Sequence, residues 1–217
     1  MEGFEDWIGD HKIPLGAWIA DGIEALKGSS TGAFDAFSGG VQFVIDGFTA
    51  ALLWVPAPLL LLILAGLSYL LRRSWGLTLF VALALLFIMN QGYWQATMET
   101  LSLVAFSALV STVVGVPLGI ASAHRPWLFR VMRPVLDLMQ TLPTFVYLIP
   151  TLVLFGLGVV PGLISTVVFA LPAPIRLTHL GVSSVPRALI EAGEAFGATR
   201  RQLLWKVELP SAKPMIL

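Results

Sequence analysis

From Phe48 onward the chain is a succession of apolar runs separated by short turns that are either basic or uncharged. Each run is close to the length a helix needs to cross a bilayer, about 20 residues, and inside hydrocarbon a lone segment can satisfy its own backbone only as a helix. Five runs meet that requirement: 48–71, 75–92, 101–123, 135–157 and 163–180. A further apolar run opens at Pro214. The predicted fold class is therefore an all-α integral membrane protein, with about five complete transmembrane helices and the start of another.

Composition supports the same reading. Of 217 residues, 57% are hydrophobic and 12% charged, more apolar surface than a soluble domain of this length could bury. Cysteine is absent, which removes disulfides and thiolate metal sites, and the three histidines (His11, His124, His179) lie far apart. No metal site, resident cofactor or catalytic residue is expected. Gly22 to Ser29 sets Lys27 before Gly28, the wrong order for a phosphate cradle, so ATP is not handled by this chain. The basic residues sit in short loops between apolar runs, which argues against a nucleic-acid surface. The acidic N-terminus is the reverse of a secretory leader's basic start.

Charge is distributed unevenly along the chain. Before Arg72 stand eight acids against Lys12 and Lys27; from Arg72 onward there are eleven basic residues and five acids. Basic loops follow the first, third and fifth runs (Arg72-Arg73, residues 124–133, residues 181–213), whereas the turns after the second and fourth carry no Lys or Arg. Lys/Arg-rich loops stay in the cytoplasm. The N-terminus is thus expected outside and the 181–213 loop inside, in a multi-pass protein of the cytoplasmic (inner) membrane. Residues 1–47 mix Trp7, Trp18 and aliphatic residues with acids and are broken by Pro14 and by the Gly28–Gly32 stretch. They are read as an extracytoplasmic or interfacial segment in contact with lipid, preceding a transmembrane domain over 48–217.

The long polar loop has its own local code. Leu189, Ala192 and Phe196 recur at helical spacing in a first short helix, and Gly197 is placed to end it in the left-handed conformation. Thr199 and Gln202 form the capping box of a second short helix, which Leu209-Pro210 closes. Small residues (Ala192, Gly193, Ala195, Gly197, Ala198) crowd the elbow, so another surface can approach it closely. From these residues alone, a hairpin lying on the membrane remains open beside a docking site.

Glu191-Ala192-Gly193, three residues, Gly197, nine residues, then Val207-Glu208-Leu209-Pro210 resembles the EAA loop of ABC importer permeases, with Gly193 in place of the second Ala and Val207 in place of Ile. The resemblance implies that Glu191, Ala192, Gly193, Gly197, Ala198, Leu209 and Pro210 couple the permease to a P-loop ATPase subunit that binds ATP and Mg. It also implies a second permease subunit forming a homodimer, an extracytoplasmic substrate-binding protein, and alternating access.

Residues 137–150 and 169–178 resemble permeases for glycine betaine, proline betaine, carnitine or choline. Pro143 and Pro150 interrupt the fourth run and free backbone carbonyls. Gln140, Thr141, Pro143, Phe145 and Tyr147 are the candidate substrate path, since aromatic faces attract quaternary ammonium groups. Asp137, one turn after Arg133, is read as an interface ion pair. Against this stand an ABC permease for another small solute, an ion-gradient-driven transporter or channel, and a membrane-embedded enzyme. Gradient-driven carriers bury coupling charges mid-membrane, whereas the charges here lie near run ends or in loops.

Overall fold

The computed structural model describes residues 14–216, and every regular element among them is helical. In order they are α1 (Leu15–Trp54), α2 (Ala57–Arg72), α3 (Trp75–Asn90), α4 (Trp94–His124), α5 (Pro126–Thr141) and α6 (Thr144–Phe155). There follow α7 (Val159–Ala170), α8 (Pro172–Ser183), α9 (Arg187–Ala195), α10 (Arg200–Leu203), a π-helical turn (Leu204–Glu208) and α11 (Leu209–Ile216). Three helical runs are long and apolar enough to cross a membrane: Gly32–Trp54, Trp94–His124 and Val159–Ser183, where α7 and α8 join end to end. The bent pair α5 and α6 makes a fourth if it counts as one span.

These helices divide the apolar runs differently from the sequence reading. The expected first span is cut at Val55-Pro56, and its first residues belong to α1. Helix α1 runs unbroken through Gly28–Gly32 and through position 47, where a boundary was expected. Gly and Ser cost a helix only about 1 kcal/mol or less each, a weak preference that helical context overrides. Residues 1–13 of the expected N-terminal segment lie outside the described residues. The second half of the first run and the second run become a hairpin of two 16-residue helices. Arg73 ends α2 in the left-handed conformation, Ser74 caps α3, and Tyr69 packs on Trp75 across the turn.

The core sits between α4 and α7–α8, which run side by side in the same direction. The small-residue stripe on α4 is its packing face: Ser107, Ser111, Gly115, Gly119 and Ser122 are all buried. Ser111 donates to the Val167 carbonyl at 3.4 Å, and Ser122 Oγ lies 3.0 Å from His179 Nδ1. Backbones approach so closely that a Cβ on Gly119 would lie 2.8 Å from the Ile175 carbonyl oxygen. Small residues drive membrane helix packing by admitting contacts of this kind. Helix α1 crosses the far end of this pair: Thr49 donates to Ser102 at 2.8 Å, Phe48 meets Phe106 edge-on, and Phe34 meets Phe155.

The fourth run is sharply bent rather than gently kinked. Helices α5 and α6 meet at 94°, with Leu142 extended ahead of Pro143, as a residue before proline prefers. The basic segment expected as a loop at 124–133 is mostly helix, because α5 already begins at Pro126. Helix α5 is amphipathic, with Arg130, Arg133, Asp137 and Gln140 exposed and Leu136 buried.

Candidate functional site

The loop after α8 folds as its local code dictates. Pro186 precedes α9, and Gly197 sits at φ +75° just past its end. The Gly197 amide donates to the Glu194 carbonyl at 2.8 Å and the Ala198 amide to the Gly193 carbonyl at 3.0 Å. Those paired bonds form a Schellman stop and satisfy carbonyls that the helix end leaves open. Thr199 and Gln202 cap each other, the Thr199 amide donating to the Gln202 side chain at 2.8 Å.

Leu189, Ala192 and Phe196, which recur at helical spacing, are all turned outward; Phe196 at the elbow is 93% exposed. The inward face is Ile190 and Gly193. A Cβ at Gly193 would lie 2.6 Å from Leu203 Cδ2, so glycine here lets α9 lie tightly on α10 and the π turn. Ala192, Glu191, Gly197 and Pro210 are exposed, while Ala198 and Leu209 are half-buried. The loop thus offers an uncovered apolar strip, Leu189–Ala192–Phe196.

Leu209-Pro210 does not close the second helix. The chain stays helical from Arg200 to Ile216, and the π turn explains how. Proline inside an α-helix clashes with the carbonyl four residues back and donates nothing to it. Here the turn widens just before Pro210, with the Leu209 amide reaching the Leu204 carbonyl five residues back. The widening also turns Glu208 inward, leaving it 7% exposed. A proline inside a polar helical run was the available signal for this turn.

At the α5–α6 corner lie Gln140, Thr141 and Pro143, all exposed, with Phe145 75% exposed and Tyr147 half-buried. Pro143 carries no N–H, so the Met139 carbonyl four residues back loses its helical donor. The Tyr147 hydroxyl donates to that carbonyl at 3.0 Å and so ties the corner. Phe145 and Tyr147 are two positions apart on α6, about 200° around the helix, so one cation cannot sit between them. Thr141 donates to the Leu138 carbonyl at 3.0 Å. Asp137 pairs mainly with Arg176 of α8, while Arg133 stands 4.0 Å away.

Some charges are deeper than the sequence reading placed them: Asp35 and Asp46 lie within the Gly32–Trp54 run and Arg176 within Val159–Ser183. Asp46 shares a cleft with Thr49, Gln95 and Glu99 between α1 and α4, a grouping that sequence spacing did not reveal. Among the described residues no three His, Asp or Glu side chains gather as a metal site would need.

An all-helical membrane protein whose polar loop folds into an elbowed helix pair is the class that this geometry defines. Comparison with known proteins makes the class specific. A family model described as binding-protein-dependent transport system inner membrane component matches residues 115–217. The chain is 42% identical over 206 residues to a glycine betaine transport system permease protein of Bacillus subtilis, covering 95% of this chain and 73% of that one. It is 42% identical over 205 residues to a glycine betaine/proline betaine permease protein of Escherichia coli, covering 94% and 58%. A glycine betaine/carnitine permease protein of Listeria monocytogenes is 40% identical over 212 residues, covering 94% and 73%. The chain belongs to the family of binding-protein-dependent transport permeases, inner-membrane subunits with several membrane-spanning helices.

Proposed function

We propose that this chain is the permease subunit of an ATP-driven importer for quaternary-amine osmolytes of the glycine betaine type. The observation that carries the reading is the uncovered Leu189–Ala192–Phe196 strip on a rigidly stopped helix, within a loop of EAA spacing. A solvated loop gains nothing from a fully exposed Phe, whereas a docking surface does. The partner is a P-loop ATPase that holds ATP and its Mg, with a second permease copy and an extracytoplasmic binding protein completing the importer. Isolation of the intact complex from membranes should yield a P-loop ATPase in fixed ratio to this chain. Recovery of the chain with no ATPase contradicts the reading.

The N-terminus is outside and the α9–α11 loop cytoplasmic in this proposal. Every named contact of α1 (with Ser102, Phe106 and Phe155) falls far from the α9–α11 loop, and this supports the placement. Single cysteines at Ser30 and Thr199 in this cysteine-free chain test it with an impermeant thiol reagent on intact cells. Labelling of Ser30 alone is expected. An unlabelled Ser30 means that α1 crosses the membrane and starts inside.

The substrate path follows the α5–α6 corner, with Gln140, Thr141 and Phe145 facing it and Pro143 and Tyr147 shaping it. Leucine at Gln140, Thr141 or Phe145 should lower uptake severalfold while the complex still assembles. Normal uptake in all three variants moves the path elsewhere. The Tyr147 hydroxyl acts on geometry, so Tyr147→Phe should cost about 1 kcal/mol of stability rather than affinity for solute.

A further inference from the structure

Glu208 is the last residue of the π turn, 7% exposed, and it belongs to none of the coupling positions read from the sequence. Its Oε2 lies 2.9 Å from Nε2 of His124, the last residue of α4. Among the described residues no other cationic side chain pairs with it. The other ring nitrogen of His124, Nδ1, is 3.0 Å from the Ile120 carbonyl one turn back. A carboxylate this buried is held only by its partner, so the two ends cannot separate without stranding a charge.

The pair joins two parts of the molecule that otherwise meet through apolar packing. On one side is the π turn, onto which α9 packs through Gly193, Leu203 and Val207. On the other is the end of α4, which carries the Gly115–Gly119 interface with α8 and leads through Arg125 directly into α5. Turns of π form recur where a helix must reposition a side chain for function. We infer that the Glu208–His124 ion pair is a strut carrying displacement of the α9–α11 loop into α4, and that both are positioning residues for coupled transport. The inference rests on the proposed docking of an ATPase at that loop.

The test uses the whole importer in vesicles, reading solute moved per ATP hydrolysed. His124→Gln and Glu208→Gln remove the ion pair but put at each position an amide that can still hydrogen-bond its partner, so the buried group is not left bare. Each should leave complex assembly and basal ATP hydrolysis near wild type and lower the transport ratio by about fivefold or more, the lower range of coupling between sites. The double variant should be no worse than either single one, because both remove the same link. His124→Lys, which restores a cation, should recover much of the ratio. Wild-type ratios in both single variants, losses that multiply in the double variant, or failure of the Gln variants to assemble each overturn the strut. If the wild-type chain binds no ATPase, the proposed function itself fails, a result that wild-type transport in the same assay separates from failure of the strut.

Discussion

Gly119→Val is expected to be the most destabilising single substitution in the α4–α8 interface. An ideal Cβ at Gly119 would stand 2.5 Å from Thr178 Cβ and 2.8 Å from the Ile175 carbonyl oxygen. The Ile175 contact is backbone, which cannot swing aside as the end of a long side chain can. Relief requires α4 and α8 to part, and with them the buried Ser111–Val167 and Ser122–His179 contacts. Overpacking in a close-packed interior costs about 1–3 kcal/mol, and a contact against backbone belongs at the upper end. Total stabilities run about 5–15 kcal/mol, so the loss is a large share. Thermal unfolding of the detergent-solubilised protein should shift markedly downward in Gly119→Val and hardly at all in Gly66→Ala, where nothing lies within 4 Å of the added Cβ. Equal stability of the two would mean that α4 and α8 do not pack as described.

Gly197→Val is expected to leave the protein in the membrane and stop transport. Open space surrounds Gly197, so the added side chain meets no clash within the chain. Its cost is the φ of +75°, which L-residues disfavour by about 1–2 kcal/mol, β-branched ones most of all. Losing that conformation releases both bonds of the Schellman stop and lets α9 extend past Ala195, moving Phe196 off the elbow. Glu191→Ala removes only an exposed carboxylate, whose pairing with a partner is worth about 0–1 kcal/mol. Uptake should therefore fall far more in Gly197→Val than in Glu191→Ala. Gly197→Asn, which tolerates the left-handed region, should retain much of the wild-type rate. If valine at 197 transports normally, the elbow docks nothing and a surface hairpin becomes the better reading.

Local chemistry was legible wherever a residue type has one conformational use. Gly197 and the Thr199–Gln202 box act through bonds within a few residues, and the loop folds as those residues require. What escaped were features that depend on competition over distance. Gly28–Gly32 reads as a break on propensity, yet an unbroken helix satisfies backbone groups that a break would expose. Pro143 reads equally as a kink or a right-angle corner, and the Tyr147 bond to Met139 holds the corner. Pro56 breaks the first apolar run, which was read by its length alone. The spacing of Leu189, Ala192 and Phe196 marks an apolar face without saying which molecule covers it. Glu208 gives no local sign of burial, which follows from the extra residue of the π turn.

In the proposed importer, ATP hydrolysis by a partner drives solute through this permease. The direct measurement is uptake of labelled glycine betaine, together with ATP hydrolysis, in vesicles holding the permease, its ATPase and its binding protein. Uptake should require ATP inside the cytoplasmic face, and solute-loaded binding protein should stimulate hydrolysis. Glycine betaine uptake that proceeds without ATP and follows an imposed ion gradient would contradict the account.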